Sequence, residues 1–212
     1  MADPPNTLSD QERADGWRLL FDGVSTEHWR GYRSDTFPEG WVIEGDSLHR
    51  AAPAGDIITI DQFEDLELTL EWKVDDSAGN SGIFFRVSED HERVWETGPE
   101  MQVLNNAVHP DGRMPETAAG SNYALHAPPR DVTRPIGDWN EVRILVQGAH
   151  VELWLNGEQT AGYELWSDDW ERRVAASKFA SMPRYGRNRR GHVALQDHGD
   201  PVWYRNIKVR EL

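Results

Sequence analysis

Cysteine is absent from the 212 residues, which excludes disulfides, thiolate metal sites and a cysteine nucleophile. No apolar run approaches the roughly 18 to 20 residues that a membrane-crossing helix needs, so no membrane insertion is expected. Positive charge is also scarce: 22 lysines and arginines stand against 37 acidic residues, for a net charge of −15. Such a surface repels polyphosphates, and no nucleic-acid partner is expected. Glycine-rich phosphate loops and a GxSxG elbow are missing, and His109, His126, His150 and His192 show neither HxxxH nor HxH spacing. The N-terminus "MADPPNTLSDQE" carries neither a basic n-region nor an apolar h-region. A chain trimmed of a secretion signal would look the same, so a periplasmic or secreted location and a cytoplasmic one both stay open.

Aromatic residues are plentiful, with ten tryptophans and five tyrosines. Rings with a polar edge stack well on sugar faces, but large side chains more commonly build a core, and the core is the expected place for most of these. Residues 1–16 form an N-terminal helical segment: "SDQE" makes Ser9 an N-cap with Glu12 three residues on, and Gly16 ends the helix. Thereafter the period is two. In "LELTLEWKV" (66–74), Leu66, Leu68, Leu70, Trp72 and Val74 share one face, and Glu67, Thr69, Glu71 and Lys73 the other. "HVELWLNGEQ" alternates in the same way and turns at Asn156-Gly157, the strongest short hairpin signal. With "WVIE", "SLHR", "DIITI", "GIFFRV", "EMQVL", "EVRILVQ", "HVALQ" and "WYRNIKVREL", roughly ten short strands predict an all-β fold, an antiparallel β-sandwich or jelly roll with long loops, as a single domain over 1–212.

Two segments lack this period. Residues 107–135 hold five prolines, and loops of that length inside a domain are usually functional or disordered. Residues 164–190 predict a turn or two of helix around "DDWERRVAAS", followed by a loop with the basic cluster "RYGRNRRG".

Three polar constellations interrupt the strands. In "WETGPEMQVLNN", Glu100 and Gln102 project from one face while Met101 and Val103 project from the other. Trp95, Glu96, Glu100, Gln102, Asn105 and Asn106 fall within twelve residues, and a sugar site needs such aromatic platforms beside carboxylates and amides. The stretch "LQDHGDPVWYRN" places His198 in an Asp/Gly turn that has no geometric need for histidine, so His198 is a candidate general base or metal ligand. In "NSGIFFR", alternation sets Ile83, Phe85 and Val87 against Phe84 and Arg86. Arg86 needs an acid partner if buried, with Glu100 the expected one, or else it anchors substrate.

In chain order, "GWRLLFDGVSTEHWRG", "NSGIFFR", "WETGPEMQVLNN", the "WN" at 139–140, the "LNG" at 155–157, "SKFASMP" and "GHVALQDHGDPVWYRNIKVREL" together resemble the 3-keto-disaccharide hydrolase family, from residue 16 to the end. The resemblance implies a concanavalin A-like jelly roll and a carbohydrate substrate. It also implies a hydrolase or lyase that cleaves glycosides already oxidised to a ketone at carbon 3. Such a ketone acidifies the hydrogen on carbon 2, so the reaction needs a base, an enolate stabiliser and an acid for the leaving group. On this reading Glu100 or His198 is the base, and Arg86 polarises the ketone. A divalent metal ion held partly by Glu100 and His198 is the alternative polarising group. Asn80, Gln102, Asn105 and Tyr123 contact the sugar, Trp95 stacks on it, and Tyr123 lies in a loop that could close as a lid. The resemblance further implies an aspartate where "VLNN" carries Asn105. A non-catalytic lectin-like module on the same fold is the main alternative, and a two-carboxylate glycosidase using Glu96 and Glu100 is the third reading.

Overall fold

The computed structural model describes residues 4–212, so the first three residues of the predicted helical segment lie outside the described residues. The capping box forms as predicted: Ser9 Oγ accepts from the Glu12 amide and the Glu12 carboxylate accepts from the Ser9 amide, opening helix α1 (Asp10–Ala14). Thirteen strands follow among the described residues: β1 (Arg18–Leu19), β2 (Trp29–Gly31), β3 (Trp41–Glu44), β4 (Ser47–Arg50), β5 (Ile57–Thr59), β6 (Leu66–Val74), β7 (Asn80–Val87), β8 (Glu100–Leu104), β9 (Asn140–Gln147), β10 (His150–Leu155), β11 (Glu158–Glu164), β12 (His192–Leu195) and β13 (Val202–Glu211). Helix α2 (Asp168–Ala175), N-capped by Ser167, fills the predicted helical stretch.

The strands form two antiparallel sheets. The larger runs β11-β10-β9-β6-β13-β4-β3, with β1 also paired to β13, and the smaller runs β2-β5-β12-β7-β8. Alternation explains the larger sheet: Leu66, Leu68, Leu70, Trp72 and Val74 all enter the core, facing Ile83, Phe85, Met101, Val103 and Leu195 from the smaller sheet. The β10–β11 hairpin turns at Asn156 (φ +51°) and Gly157 (φ +82°), the two positive φ values that a tight hairpin of this kind requires. Of the ten tryptophans, Trp29, Trp41, Trp72 and Trp170 are buried, whereas the other six are half-buried at the surface. Tyr163, Tyr185 and Tyr204 are buried too, and Trp95, Trp166, Tyr32 and Tyr123 pack against the core clusters, so most of these rings do serve the core, while others lie under cations, such as Trp139 beneath Arg205.

The smaller sheet is covered on both faces. Its outer face carries a second cluster of Ile58, Phe84, Val87, Val94 and Ala194, flanked by Tyr32 and Trp95. Every residue of β7 is consequently buried. The alternation that grouped Val87 with Ile83 and Phe85 breaks at a bulge: Phe84 pairs with Ala194 but Val87 pairs with His192, leaving one extra residue on β7. Arg86 takes a φ of +52° there, which swings Val87 to the Phe84 side.

Candidate functional site

On the outer face of the smaller sheet a cavity of about 250 Å³ is lined by Asn80, Trp95, Glu100, Gln102, Tyr123 and His198, together with Asp111, Lys178 and Gln196. Six of the eight sequence-predicted site residues thus come together. Their meeting follows from register, since Asn80 and Gly82 on β7 pair with Leu104 and Gln102 on β8, and Phe84 pairs with Glu100.

Glu100 is 5% exposed. Its carboxylate lies across the neighbouring strand at Gly82, where the absence of a side chain leaves room for it. Desolvation pushes the Glu100 carboxyl up to about 8, with Lys178 opposing the shift and Asp56 and Asp111 adding to it. Lys178 opens a 3₁₀ turn (Lys178–Ser181) held by Ser177 Oγ, which accepts from the Phe179 amide. Its Nζ sits 4.1 Å from the Tyr123 ring centroid and 5.7 Å from that of Trp95. Burial lowers the Lys178 pKa, and the charges of Glu100 and Asp111 resist that lowering.

The long 107–135 segment forms the second wall. It is stitched to the free edge of β8: the Gln102 amide donates to Ser121 O (3.1 Å), Gly120 to Gln102 O (2.9 Å) and Tyr123 to Glu100 O (3.0 Å). Tyr123 is therefore part of a fixed wall, not the tip of a lid. Its hydroxyl donates to Asp111 Oδ2 at 3.0 Å, and burial followed by the Asp111 charge raises its pKa. Asp111 is placed in turn by its amide, which donates to His109 Nδ1 at 3.1 Å. His109 Nε2 is 3.2 Å from the Asn80 amide.

The amides divide by role. Gln102 spends both ends on the protein, donating to Thr117 O (3.3 Å) and accepting from the Val103 amide (3.1 Å). Gln196, 9% exposed, leaves its Oε1 without a partner among the described residues. A buried acceptor without a donor is costly unless a ligand or water supplies one. Trp95 is half-buried at the wall. His198 is exposed at the mouth, edge-on to His109 at 6.1 Å. The turn below it is fixed by Asp197, which accepts from the Ala54, Gly55 and Gly199 amides and pairs with Arg50.

Two predicted residues lie elsewhere. Arg86, 2% exposed, donates to Glu64 O (2.9 Å), Gly148 O (2.8 Å) and Asp65 Oδ1 (3.1 Å). Its acid partner is Asp65 and not Glu100, because the bulge turns it away from the cavity. Asn105 is fully buried beside a different cavity of about 340 Å³. Its Nδ2 donates to Ser77 O (2.8 Å) and Asp75 O (3.4 Å), and its Oδ1 accepts from Ala107 N (3.2 Å). An aspartate could not make the two donations, so the amide answers a structural need of the 75–77 loop.

The donor set does not fit the divalent cation considered for Glu100 and His198. Among the described residues no three His, Asp or Glu side chains converge as metal ligands, and the positive charge beside Glu100 is the Lys178 ammonium. Sequence reasoning missed Lys178, Asp111 and Gln196. Lys178 and Gln196 lie inside the quoted motifs "SKFASMP" and "LQDHGD", but no spacing rule singles them out.

Comparison with known proteins agrees with this architecture. Residues 16–210 match the 3-keto-alpha-glucoside-1,2-lyase-like domain. The chain is 34% identical over 233 residues to a 3-keto-disaccharide hydrolase of Bacteroides thetaiotaomicron, covering 94% of this chain and 79% of that one. A crystal structure of a candidate glycosyl hydrolase from Parabacteroides distasonis superposes with a TM-score of 0.91 at 30% identity, covering 99% of this chain and 100% of that one. A Bacillus subtilis protein with a galectin-like fold superposes at a TM-score of 0.52 and 13% identity, over 98% of this chain and 94% of that one, and shares the fold alone. No described helix is long and apolar enough to cross a membrane. By the match over 16–210 and the identity that extends along most of the Bacteroides relative, the chain belongs to the 3-keto-alpha-glucoside-1,2-lyase-like family.

Proposed function

We propose that the protein cleaves 3-keto-glycosides by elimination followed by hydration, with Glu100 as the base. The observation that carries this reading is a buried carboxylate of raised pKa, laid over Gly82 and facing the Lys178 ammonium inside a polar, sugar-sized cavity. A general base works best when its pKa lies near the operating pH, and burial has moved this one there.

Glu100 takes the hydrogen from carbon 2, and the electron pair delocalises onto the carbon-3 ketone oxygen as an enolate. Lys178, whose pKa burial lowers and the charges of Glu100 and Asp111 hold up, stabilises that oxygen in the role first considered for Arg86. The enolate then expels the glycosidic oxygen from carbon 1 to leave an enone. The departing oxygen takes a proton from His198, which lines the cavity and is exposed. Water adds its hydroxyl to carbon 1 and gives its remaining proton back to His198, while protonated Glu100 returns the hydrogen to carbon 2, so the net reaction is hydrolysis and both side chains regain their starting states. Release of the enone before water adds would make the same protein a lyase. Gln196 and Asn80 bond hydroxyls, and Trp95 offers a ring face.

The test is a rate assay on an aryl glucoside and its 3-keto counterpart. Aryl release from the keto sugar alone supports elimination. Equal release from both substrates would point to a conventional glycosidase, and binding with no release from either would point to a lectin-like module.

A further inference from the structure

A second polar cavity of about 540 Å³ lies on the same sheet and includes Tyr32, Arg33, Asp56 and Arg93 in its lining. Register joins it to the first. Leu195 pairs with both Ile57 and Ile83, Gly31 pairs with Ile57, and Gly82 pairs with Gln102. One step along each strand gives a continuous row across all five strands: Tyr32, Asp56, Gln196, Gly82, Gln102. The Tyr32 amide donating to Asp56 O (2.8 Å) and the Gln196 amide donating to Gly82 O (3.0 Å) hold that row together. Paired residues point to the same face of a sheet, so Asp56 stands on the face that carries Glu100. Strands are spaced about 4.8 Å apart, which puts Asp56 roughly 10 Å from Gly82. Gln196, with its unpartnered Oε1, stands between the two. The walls are shared as well, since Arg93 of the second cavity and Trp95 of the first belong to one connection.

We infer that this second cavity binds the departing half of the substrate, a hexose or similar polyol, with Asp56 and Arg93 bonding its hydroxyls and Gln196 bridging the glycosidic linkage. The inference rests on the 3-keto-glycoside reading of the first cavity. Asp56 is suited to this role because one oxygen, Oδ1, is fixed by the Asp197 amide at 2.9 Å, and Arg93 lines the same cavity. A carboxylate and a guanidinium lining one cavity offer acceptors and donors to hydroxyls without requiring a charged ligand.

The experiment compares a 3-keto-disaccharide with methyl 3-keto-glucoside in the wild type, Arg93→Ala and Asp56→Asn, the last retaining an acceptor for the Asp197 amide. The ratio of kcat/KM for the disaccharide over the methyl glycoside should fall about tenfold in each variant, the worth of one charge-assisted hydrogen bond. An unchanged ratio would overturn the subsite while leaving the chemistry intact. Calorimetric binding of both compounds in a Glu100→Gln background is read independently of turnover. There the disaccharide should bind more tightly than the methyl glycoside, and Arg93→Ala should remove the difference. If that preference is present but the wild type releases nothing, the chemistry is wrong and the subsite stands. Absence of both preference and turnover removes both.

Discussion

Gly82 and Glu100 occupy one another's space. A β-carbon on Gly82 would overlap Glu100 Oε1 and come within 2.9 Å of its Cδ, and it would also meet the Phe84 ring at 2.8 Å. Gly82 is therefore the seat of the carboxylate, and Gly82→Ala must displace the proposed base or the ring. A displacement of about 1 Å at a reacting group can cost on the order of 100-fold in rate. We expect kcat for a 3-keto-glycoside to fall by about that factor, with a far-ultraviolet circular dichroism spectrum like that of the wild type. Wild-type kcat in a folded Gly82→Ala protein would show that the carboxylate position is unimportant.

Glu100 links activity and stability with opposite signs. Its carboxyl is raised by burial to about 8, so the base form is lost below that pH and kcat should climb as pH rises through 8. Between the ordinary glutamate value of 4.5 and about 8 the folded state holds a proton that the unfolded state releases. Stability contributed by this group therefore falls as pH rises through that window. Glu100→Gln should abolish turnover, retain binding of the keto sugar, and melt at a higher temperature than the wild type at pH 8, with the gap closing toward pH 4. Equal loss of binding and turnover in a folded protein would count against the base assignment.

The sequence disclosed those parts of the molecule in which one face of an element is wet. Strand β6, apart from the buried Glu67, and strand β10 alternate because the larger sheet leaves its outer face partly exposed. The smaller sheet does not alternate in burial, since both of its faces are covered, and polar residues on it read as anomalies until the cavity accounts for Glu100 and Gln102. Arg86 was misplaced because a single extra residue reverses the facing of everything beyond it, and the bulge that inserts it depends on pairing with distant His192 and Ala194. Lys178 and Asp111 sit on loop turns without any period. Only the tertiary fold brings them to Glu100.

Lys178 is expected to act on the transition state more than on ground-state binding, because the enolate charge exists only after proton abstraction. Lys178→Met should reduce kcat by roughly 100-fold or more, the scale seen when one oxyanion-stabilising donor is removed, with KM little changed. It should also move the pH–rate midpoint upward, since Lys178 opposes the desolvation that raises Glu100. A merely structural lysine would not shift that midpoint, and an unmoved profile would reject the pairing of roles.

Asn105 separates a structural amide from a catalytic acid. Asn105→Asp would replace a donor with an acceptor facing the Ser77 and Asp75 carbonyls, and leaving such buried groups unsatisfied costs about 1–3 kcal/mol. The variant should lose denaturant stability by that amount while its kcat/KM holds at temperatures where it stays folded. A gain in activity would show instead that an acid at this position has a chemical role.

Arg86 provides the sharpest contrast with Glu100, since both are buried ionisable groups in neighbouring strands and only the Glu100 side chain has no hydrogen-bond partner among the described residues. Three acceptors from three separate positions, Glu64, Asp65 and Gly148, close around the guanidinium, which ties the β5–β6 and β9–β10 connections to β7. Removing the buried guanidinium breaks three charge-assisted hydrogen bonds at once, to the partly exposed Asp65 and to two carbonyls. Arg86→Met should therefore destabilise by about 3 kcal/mol, a fall in Tm of roughly 10 °C for a chain of this size. Arg86→Lys should recover little, because a single ammonium cannot reach all three acceptors in the fork geometry of a guanidinium. Thermal melts of both variants, with kcat/KM measured well below their transitions, decide the matter. A loss of Tm with unchanged kcat/KM confirms a clamp, whereas a loss of kcat with an unchanged Tm would return Arg86 to the substrate.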